Sequence, residues 1–305
     1  MRVVSLLPSA TEIVCALGVD PVGVTHECDY PPSVDTVPTV VHSTVDTTGS
    51  SQAIDDQVQD ATNDGGVYEL DRERLRELDP DVVISQGLCD VCAVDETVVR
   101  ETVADLGLDA EIVATHPHRL SDLFDDIERI GQAIDRTTRA QALVSELRTR
   151  VDRVRASTEG VETPTVTVLD WLDPVMVSGH WVPELVDLAG GEFLLADPGE
   201  HSGPVAWETL CDADPAVLVA APCGFSLDRT VDAIDDLTAR DGWDELRAVR
   251  DGRVHAMDGN HYVNRPGPRL VDTLEHLAGL LHPERFDPPP EAVAQSVPKA
   301  TGYPN

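Results

Sequence analysis

Cys89 and Cys92, in Cys89-Asp90-Val91-Cys92, have the spacing that lets two thiolates reach one metal ion from a single turn. Cys28 in His26-Glu27-Cys28 and Cys223 in Pro222-Cys223-Gly224 would complete a four-sulfur donor set suited to zinc or iron. The same CxxC pair also fits a disulfide or plain unligated thiols, so all three readings stand. His26, His180, His201 and His261 each carry a ring nitrogen able to bind a metal. Trp171, Trp181, Phe225 and Tyr262 offer flat faces to a large planar ligand, although Trp181 opens a helix and fits a core position as well. Aromatic residues are only 4% of the chain, which makes four of them beside such loops informative. Cys15 among Ile13, Val14, Ala16 and Leu17, and Cys211 beside Leu210, read as ordinary core residues.

The signatures of common catalytic sites are missing. There is no GxSxG elbow, no HExxH, no GxGxxG and no Walker loop, and His26-Glu27-Cys28 has no known catalytic spacing. These observations point to binding without turnover.

The chemistry-bearing loops follow predicted strands. Residues 1–7 read as a strand, followed by a turn and a helix that Gly18 closes; 21–25, 81–85 and 111–114 read as further strands, with helices over 70–78 and 94–106. After a loop at 157–164 the pattern restarts with strands at 165–169, 216–220 and 254–256 and helices near 183–188 and 269–281. Strands alternating with helices imply mostly parallel sheets covered on both faces, with ligands meeting loops at the carboxyl ends of the strands. Apolar residues keep helical spacing over 120–154, longer than an ordinary helix, with Gly131 and Thr137-Thr138 as weak points. The predicted plan is α/β: two Rossmann-like lobes, 1–117 and 158–286, joined by a long spine helix at 118–157, with a mobile Pro-rich tail at 287–305.

Acidic residues outnumber basic ones 56 to 22, for a net charge of −34, and Lys299 is the only lysine. Nucleic acid is excluded as a partner by that charge. So acidic a folded protein suits concentrated salt, where screening removes its self-repulsion. No stretch reaches the roughly 20 apolar residues of a membrane helix, and the start shows no charged and apolar export leader, so the expectation is a cytoplasmic monomer, or a cell-surface protein if a leader precedes the chain.

Arg2-Val3-Val4-Ser5-Leu6-Leu7-Pro8-Ser9-Ala10-Thr11-Glu12 resembles the opening of the cobalamin and iron(III)-siderophore substrate-binding proteins of ABC importers. Asp79-Pro80-Asp81-Val82-Val83-Ile84, then Val177-Ser178-Gly179 through Gly190-Gly191, then Asn264-Arg265-Pro266-Gly267-Pro268-Arg269, follow in that family's order, and the resemblance covers about residues 2 to 283. It implies a class III substrate-binding-protein fold holding a ligand in an inter-lobe cleft for an ABC permease. The ligand would be cobalamin, a related corrinoid or a metal chelate, and no further cofactor is required. Expected contacts are Ser9, Thr11, His26, Tyr30, Gln86, Trp171, Asp173, His180, Trp181, Ser202, Phe225, His261, Tyr262 and Arg265. By position, Glu73 and Glu208 match the carboxylates that dock such proteins to permease arginines, although ordinary solvated carboxylates fit there too. The alternative is an intracellular metal-binding or chelatase-like protein built on the Cys and His cluster.

Overall fold

The computed structural model describes residues 1–63, 66–88 and 93–298. The chain divides into two compact units: Met1–Gly49, Ala53–Pro117 and Ser121–Arg148 in the first; Ser50–Gln52, His118–Leu120 and Thr149 onward in the second.

The first unit is built from β1 (Val3–Ser5), α1 (Pro8–Ala16), β2 (Val24–Thr25), β3 (Thr39–Ser43), most of α2 (Ser51–Asn63), β4 (Tyr68–Leu70), α3 (Arg72–Leu78), β5 (Val82–Gln86), α4 (Glu96–Leu106) and β6 (Glu111–Thr115). Strands β1, β5 and β6 form a parallel sheet, and β2, β3 and β4 a second sheet with one antiparallel pair. Val3, Val4, Val82, Val83 and Ile84 are buried on both faces, which is why these runs are continuously apolar rather than alternating. Leu6, Val40, Val41, Leu75, Val99 and Val103 join Val4 and Val83 in one core. β4 differs from expectation: Tyr68–Leu70 is paired with β3, and the helix begins only after Asp71, whose carboxylate caps the Arg74 N–H at 2.8 Å.

The predicted single spine resolves into α5 (Leu120–Ala133) and α6 (Thr137–Thr158). The break lies at Asp135, which takes a left-handed conformation (φ 58°), and beside it Gly131 packs so closely on Ala140 that a Cβ there would overlap the alanine methyl. The chain passes from the first unit to the second inside α6.

The second unit holds β7 (Thr165–Leu172), β8 (Val175–Val177), α7 (Val182–Leu188), β9 (Glu192–Phe193), β10 (Gly203–Pro204), α8 (Trp207–Ala213), β11 (Val217–Ala220), α9 (Leu227–Asp232), α10 (Asp235–Thr238), α11 (Arg247–Asp251), β12 (Val254–Met257), α12 (Leu270–Leu281) and β13 (Ala294–Ser296). They make one sheet in the order β10-β8-β7-β11-β12-β13, with β9 beside β7; β7, β11 and β12 are parallel. The segment read as a mobile tail therefore supplies a strand, and its Val293 and Ala294 are buried. Arg150, on α6, is bidentate to Glu275 and bonded to Asp272 at 2.5 Å, tying α6 to α12. This network raises the guanidinium's pKa further.

Helices α3 and α8 correspond closely. Both have seven residues, carry a glutamate in the first turn, end on an aspartate at φ 42° (Asp79 and Asp214) and lead through a proline into a buried parallel strand.

Candidate functional site

In the first unit the candidate residues gather where β1, β2 and β5 end. Pro8 opens α1 and Leu7 supplies no capping side chain. Thr11 is fully buried, its hydroxyl bonded to Leu7 O and Ser5 Oγ (2.9 Å) and lying 3.1 Å from Cys28 Sγ. It braces the α1 turn from inside. Ser9 is buried in the same turn, and Gln86 is buried at the end of β5. His26 is exposed; its Nδ1 lies 3.0 Å from the Val41 carbonyl, which can only accept, so Nδ1 carries a proton. Its ring lies 6.4 Å from His42 and 6.1 Å from Tyr68. Tyr30 is 44% exposed, a large apolar face left in water.

In the second unit the end of β7, which runs three residues past the expected strand and includes Trp171, and the loop after β11 hold an aromatic corner. Trp171 meets Phe225 edge-on at 5.2 Å, and the Arg229 guanidinium sits 3.9 Å over the Phe225 ring. Trp171 donates its indole N–H to Asp173 O, while the Asp173 carboxylate pairs with Arg240 at 2.9 Å. The loop after β12 is a π-turn over Gly259–Val263. Asp258, 5% exposed, caps it through the His261 N–H and accepts the His261 Nδ1 proton at 2.8 Å, fixing the ring's tautomer. Arg265 is buried and donates to Asn260 Oδ1; Tyr262 packs edge-on against His276 and beneath Arg269. Burial raises the Tyr262 pKa and lowers that of His276.

Trp181 is buried and donates its indole N–H to Val263 O at 2.8 Å, which makes it a strut between α7 and the π-turn. His180 precedes it at φ 52°, with Nδ1 buried and without a hydrogen-bond partner. Burial, then the neighbouring His201 and His118, push its pKa down to about 4. Ser202 accepts the Gly179 N–H at 2.9 Å. His118 was not among the expected residues. The signal was available: His116-Pro117-His118 follows β6, the kind of loop in which the other candidates were sought.

Cys28 is buried against Val24 and Val34 in the first unit, and Cys223 is exposed in the second. Cys89 and Cys92 lie outside the described residues. Among the described residues no group of three or more His, Cys, Asp and Glu side chains could hold a metal ion. Cys15 packs beside Cys28 with its pKa pushed up to about 11 by burial, and Cys211 lines the second core, as expected of inert thiols. Glu73 and Glu208 are both exposed, at matching places on α3 and α8.

A sequence profile described as periplasmic binding protein matches residues 3–260. An uncharacterized ABC transporter substrate-binding lipoprotein, YvrC of Bacillus subtilis, is 25% identical over 93% of this chain and 81% of its own length. A vitamin B12-binding protein of Vibrio parahaemolyticus is 24% identical over 92% and 90%. Among solved structures, a periplasmic heme binding protein from Pseudomonas aeruginosa superposes with a TM-score of 0.71 at 22% identity, covering 99% of each chain. The periplasmic vitamin B12 binding protein of Vibrio cholerae gives 0.67 at 22% identity, covering 92% and 96%. These solved structures share the class III fold. The cytoplasmic expectation is overturned, because the relatives are a lipoprotein and periplasmic proteins. The chelatase-like alternative has no counterpart among them. Among the described residues no helix is long and apolar enough to cross a membrane.

Proposed function

This chain belongs to the periplasmic binding protein family, and from that premise we propose that it captures a corrinoid of the cobalamin class outside the cytoplasmic membrane and presents it to an ABC permease. Membership makes it a substrate-binding component of transport and not an enzyme, with a small-molecule ligand and a permease as partners. The corrinoid assignment rests on the relatives named as vitamin B12-binding proteins and, in the molecule itself, on one observation. The half-buried Trp171, braced edge-on by the buried Phe225 with Arg229 over that ring, supplies an apolar face with a cation nearby at the carboxyl end of β7. Such a face suits a macrocycle rimmed by polar amides. Tyr30, His26, His261 and Tyr262 are the further contacts in this reading.

Glu73 and Glu208 serve as the docking carboxylates, one per unit on equivalent helices. The charge of −34 fits work in concentrated salt. No cofactor is needed, and metal analysis of the purified protein checks whether zinc or iron occupies Cys28, Cys89, Cys92 and Cys223.

Calorimetric titration in molar potassium chloride with cyanocobalamin, cobinamide and haem decides the ligand. Saturable corrinoid binding, weakened about tenfold or more by Trp171→Ala, is expected from loss of one stacking face. Binding of haem alone, or of none of the three, overturns the assignment.

A further inference from the structure

Trp171 lies just past an irregularity in its strand. Leu169 pairs with Val177 and Trp171 with Met176, so β7 uses one residue more than β8 over this stretch, and Asp170 is the extra one. Such a bulge bends the strand, re-aims the side chain beside it and recurs next to ligand sites. The Asp170 carbonyl accepts the Cys223 N–H at 2.9 Å, which ties the bulge to the loop carrying Phe225. A bulge also disrupts the ladder locally, so the ring it turns towards Phe225 needs support beyond strand pairing.

That support reaches the indole through the turn between β7 and β8. The Trp171 N–H is held by Asp173 O at 3.1 Å, and the turn is gripped from elsewhere in the unit by Arg240. Arg240 Nη2 donates to Leu172 O at 3.1 Å and to Asp173 Oδ1 at 2.9 Å, while its Nε donates to Asp236 O at 2.8 Å. The guanidinium carbon also lies 5.6 Å from the centre of the Trp207 ring, within cation–π reach, where α8 begins. We propose that Arg240 is a positioning residue for Trp171, fixing the turn that orients the indole and acting on the ligand only through that ring.

The anchor is itself fixed. The Arg240 N–H donates to Leu237 O at 3.1 Å, and its carbonyl accepts the Trp243 N–H at 3.2 Å. Leu237 and Trp243 are buried in the same core as Leu172, and Trp207 packs against that core with its ring stacked on Trp243. The guanidinium therefore joins the turn to a rigid base.

The arrangement calls for arginine. Two carbonyls and a carboxylate on different segments match a planar fork, whereas a lysine ammonium is a single point charge that cannot hold Asp236 O and the turn together. The Arg240 side chain is only 26% exposed, so its pair with Asp173 is screened less than a surface pair in concentrated salt. Asp173, expected to meet the ligand, then serves the ring instead: its carboxylate accepts from Arg240 and its carbonyl from Trp171.

The role rests on the reading of Trp171 as a ligand contact, and the test separates the two. The full chain is produced with fluorotryptophan and studied in molar potassium chloride without ligand; its 4 tryptophans give one fluorine resonance each, and Trp171→Phe identifies the one in question. Arg240→Ala should shift or broaden the Trp171 resonance and leave that of Trp181 in place. Arg240→Lys keeps the charge and the apolar stem, so it carries the test should the alanine variant unfold, and it should displace the Trp171 resonance too, by loss of the fork rather than of the field. Arg247→Ala, which removes an exposed arginine paired with Asp251, should leave the resonance alone. A parental Trp171 resonance in a folded Arg240 variant, or an equal displacement by Arg247→Ala, overturns the proposal. Titration with cobinamide adds a double-mutant cycle: Arg240→Ala should weaken binding by about two- to tenfold, the worth of one aromatic contact, and by nothing further once Trp171 is alanine. Unchanged affinity, or the same loss in both backgrounds, overturns it as well. Should the parent bind no corrinoid, the corrinoid reading fails while the fluorine resonances still decide the role of Arg240.

Discussion

Replacing Gly259 by alanine tests how rigidly the π-turn is held. A Cβ there would lie 2.5 Å from Ala221 O and closer still to Pro222 O, both backbone atoms that no rotamer change can clear. A carbon needs about 3.3 Å from a carbonyl oxygen, so the turn must move by roughly 1 Å. That motion works against Gly259 N–H to Phe225 O (3.1 Å), Asn260 N–H to Phe225 O (3.0 Å) and Asn264 Nδ2 to Ala221 O (2.8 Å). Forced overpacking costs about 1–3 kcal/mol, and weakening these bonds adds about 1 kcal/mol in all, so a loss of about 2–4 kcal/mol is expected. For a unit of this size that lowers Tm by roughly 5–15 °C. Because the turn carries His261 and Tyr262, ligand affinity should fall with it. Urea unfolding at fixed molar salt, parent against variant, measures the effect. A Gly259→Ala protein within about 0.5 kcal/mol of the parent, or one destabilised with unchanged affinity, would refute the reasoning.

Three further outcomes are expected. Trp181→Phe, which keeps most of the apolar volume but deletes the bond to Val263 O, should cost about 1–3 kcal/mol by chemical denaturation, and a neutral result would show that the strut is idle. Melting temperature should rise steeply from low to molar potassium chloride, because 34 net negative charges repel until screened; a flat curve would contradict that origin of the acidity. Acid should destabilise through His255, whose native pKa burial and then Arg253 push down to about 4, below the unfolded value near 6.5. The unfolded chain then binds the extra proton, so this stability is complete above pH 6.5 and is lost as pH falls towards 4. Asp126 acts oppositely: burial outweighs its ion pair with Arg129 and lifts its pKa to about 6, so its share is present at low pH and is lost as pH rises from about 4 to 6. Asp126→Asn should therefore steepen the acid loss and His255→Gln should flatten it, both read from unfolding free energies between pH 4 and 7.

The buried strands were legible because Val3–Ser5, Val82–Gln86 and Glu111–Thr115 are short apolar runs bounded by turn residues. Strands made by pairing were not. Tyr68–Leu70 and Ala294–Ser296 carry no pattern of their own and exist because β3 and β12 offer them an edge. At the site, sequence placed Trp171 and Phe225 on loops after strands; Phe225 is on one, but β7 runs on to Leu172 and takes in Trp171, which still meets Phe225. Sequence could not show that the Trp181 indole bonds 82 residues along the chain, nor that Thr11 spends its hydroxyl inside the unit, since both depend on tertiary contacts. The packing of the His118, His180 and His201 rings, with centres 4.9–5.5 Å apart, was half visible. His180 and His201 were singled out, but their nearness to His118 follows from loop crossings that spacing does not encode.

The two borders of the large sheet bear on how copies of such a molecule would meet. One ends in Gly203–Pro204, where proline has no N–H to offer, and the other in the three-residue Ala294–Ser296 strand. Neither presents a long ladder of open backbone groups to another copy. In dilute buffer that protection would be redundant, since every copy repels every other. In molar salt the Debye length shrinks to about 3 Å and charge no longer keeps neighbours apart at a distance. Resistance to strand-on-strand association then passes from electrostatics to these two blunt edges, so cutting the chain before Val293 would bare β12 and favour clumping most where the intact protein is best folded.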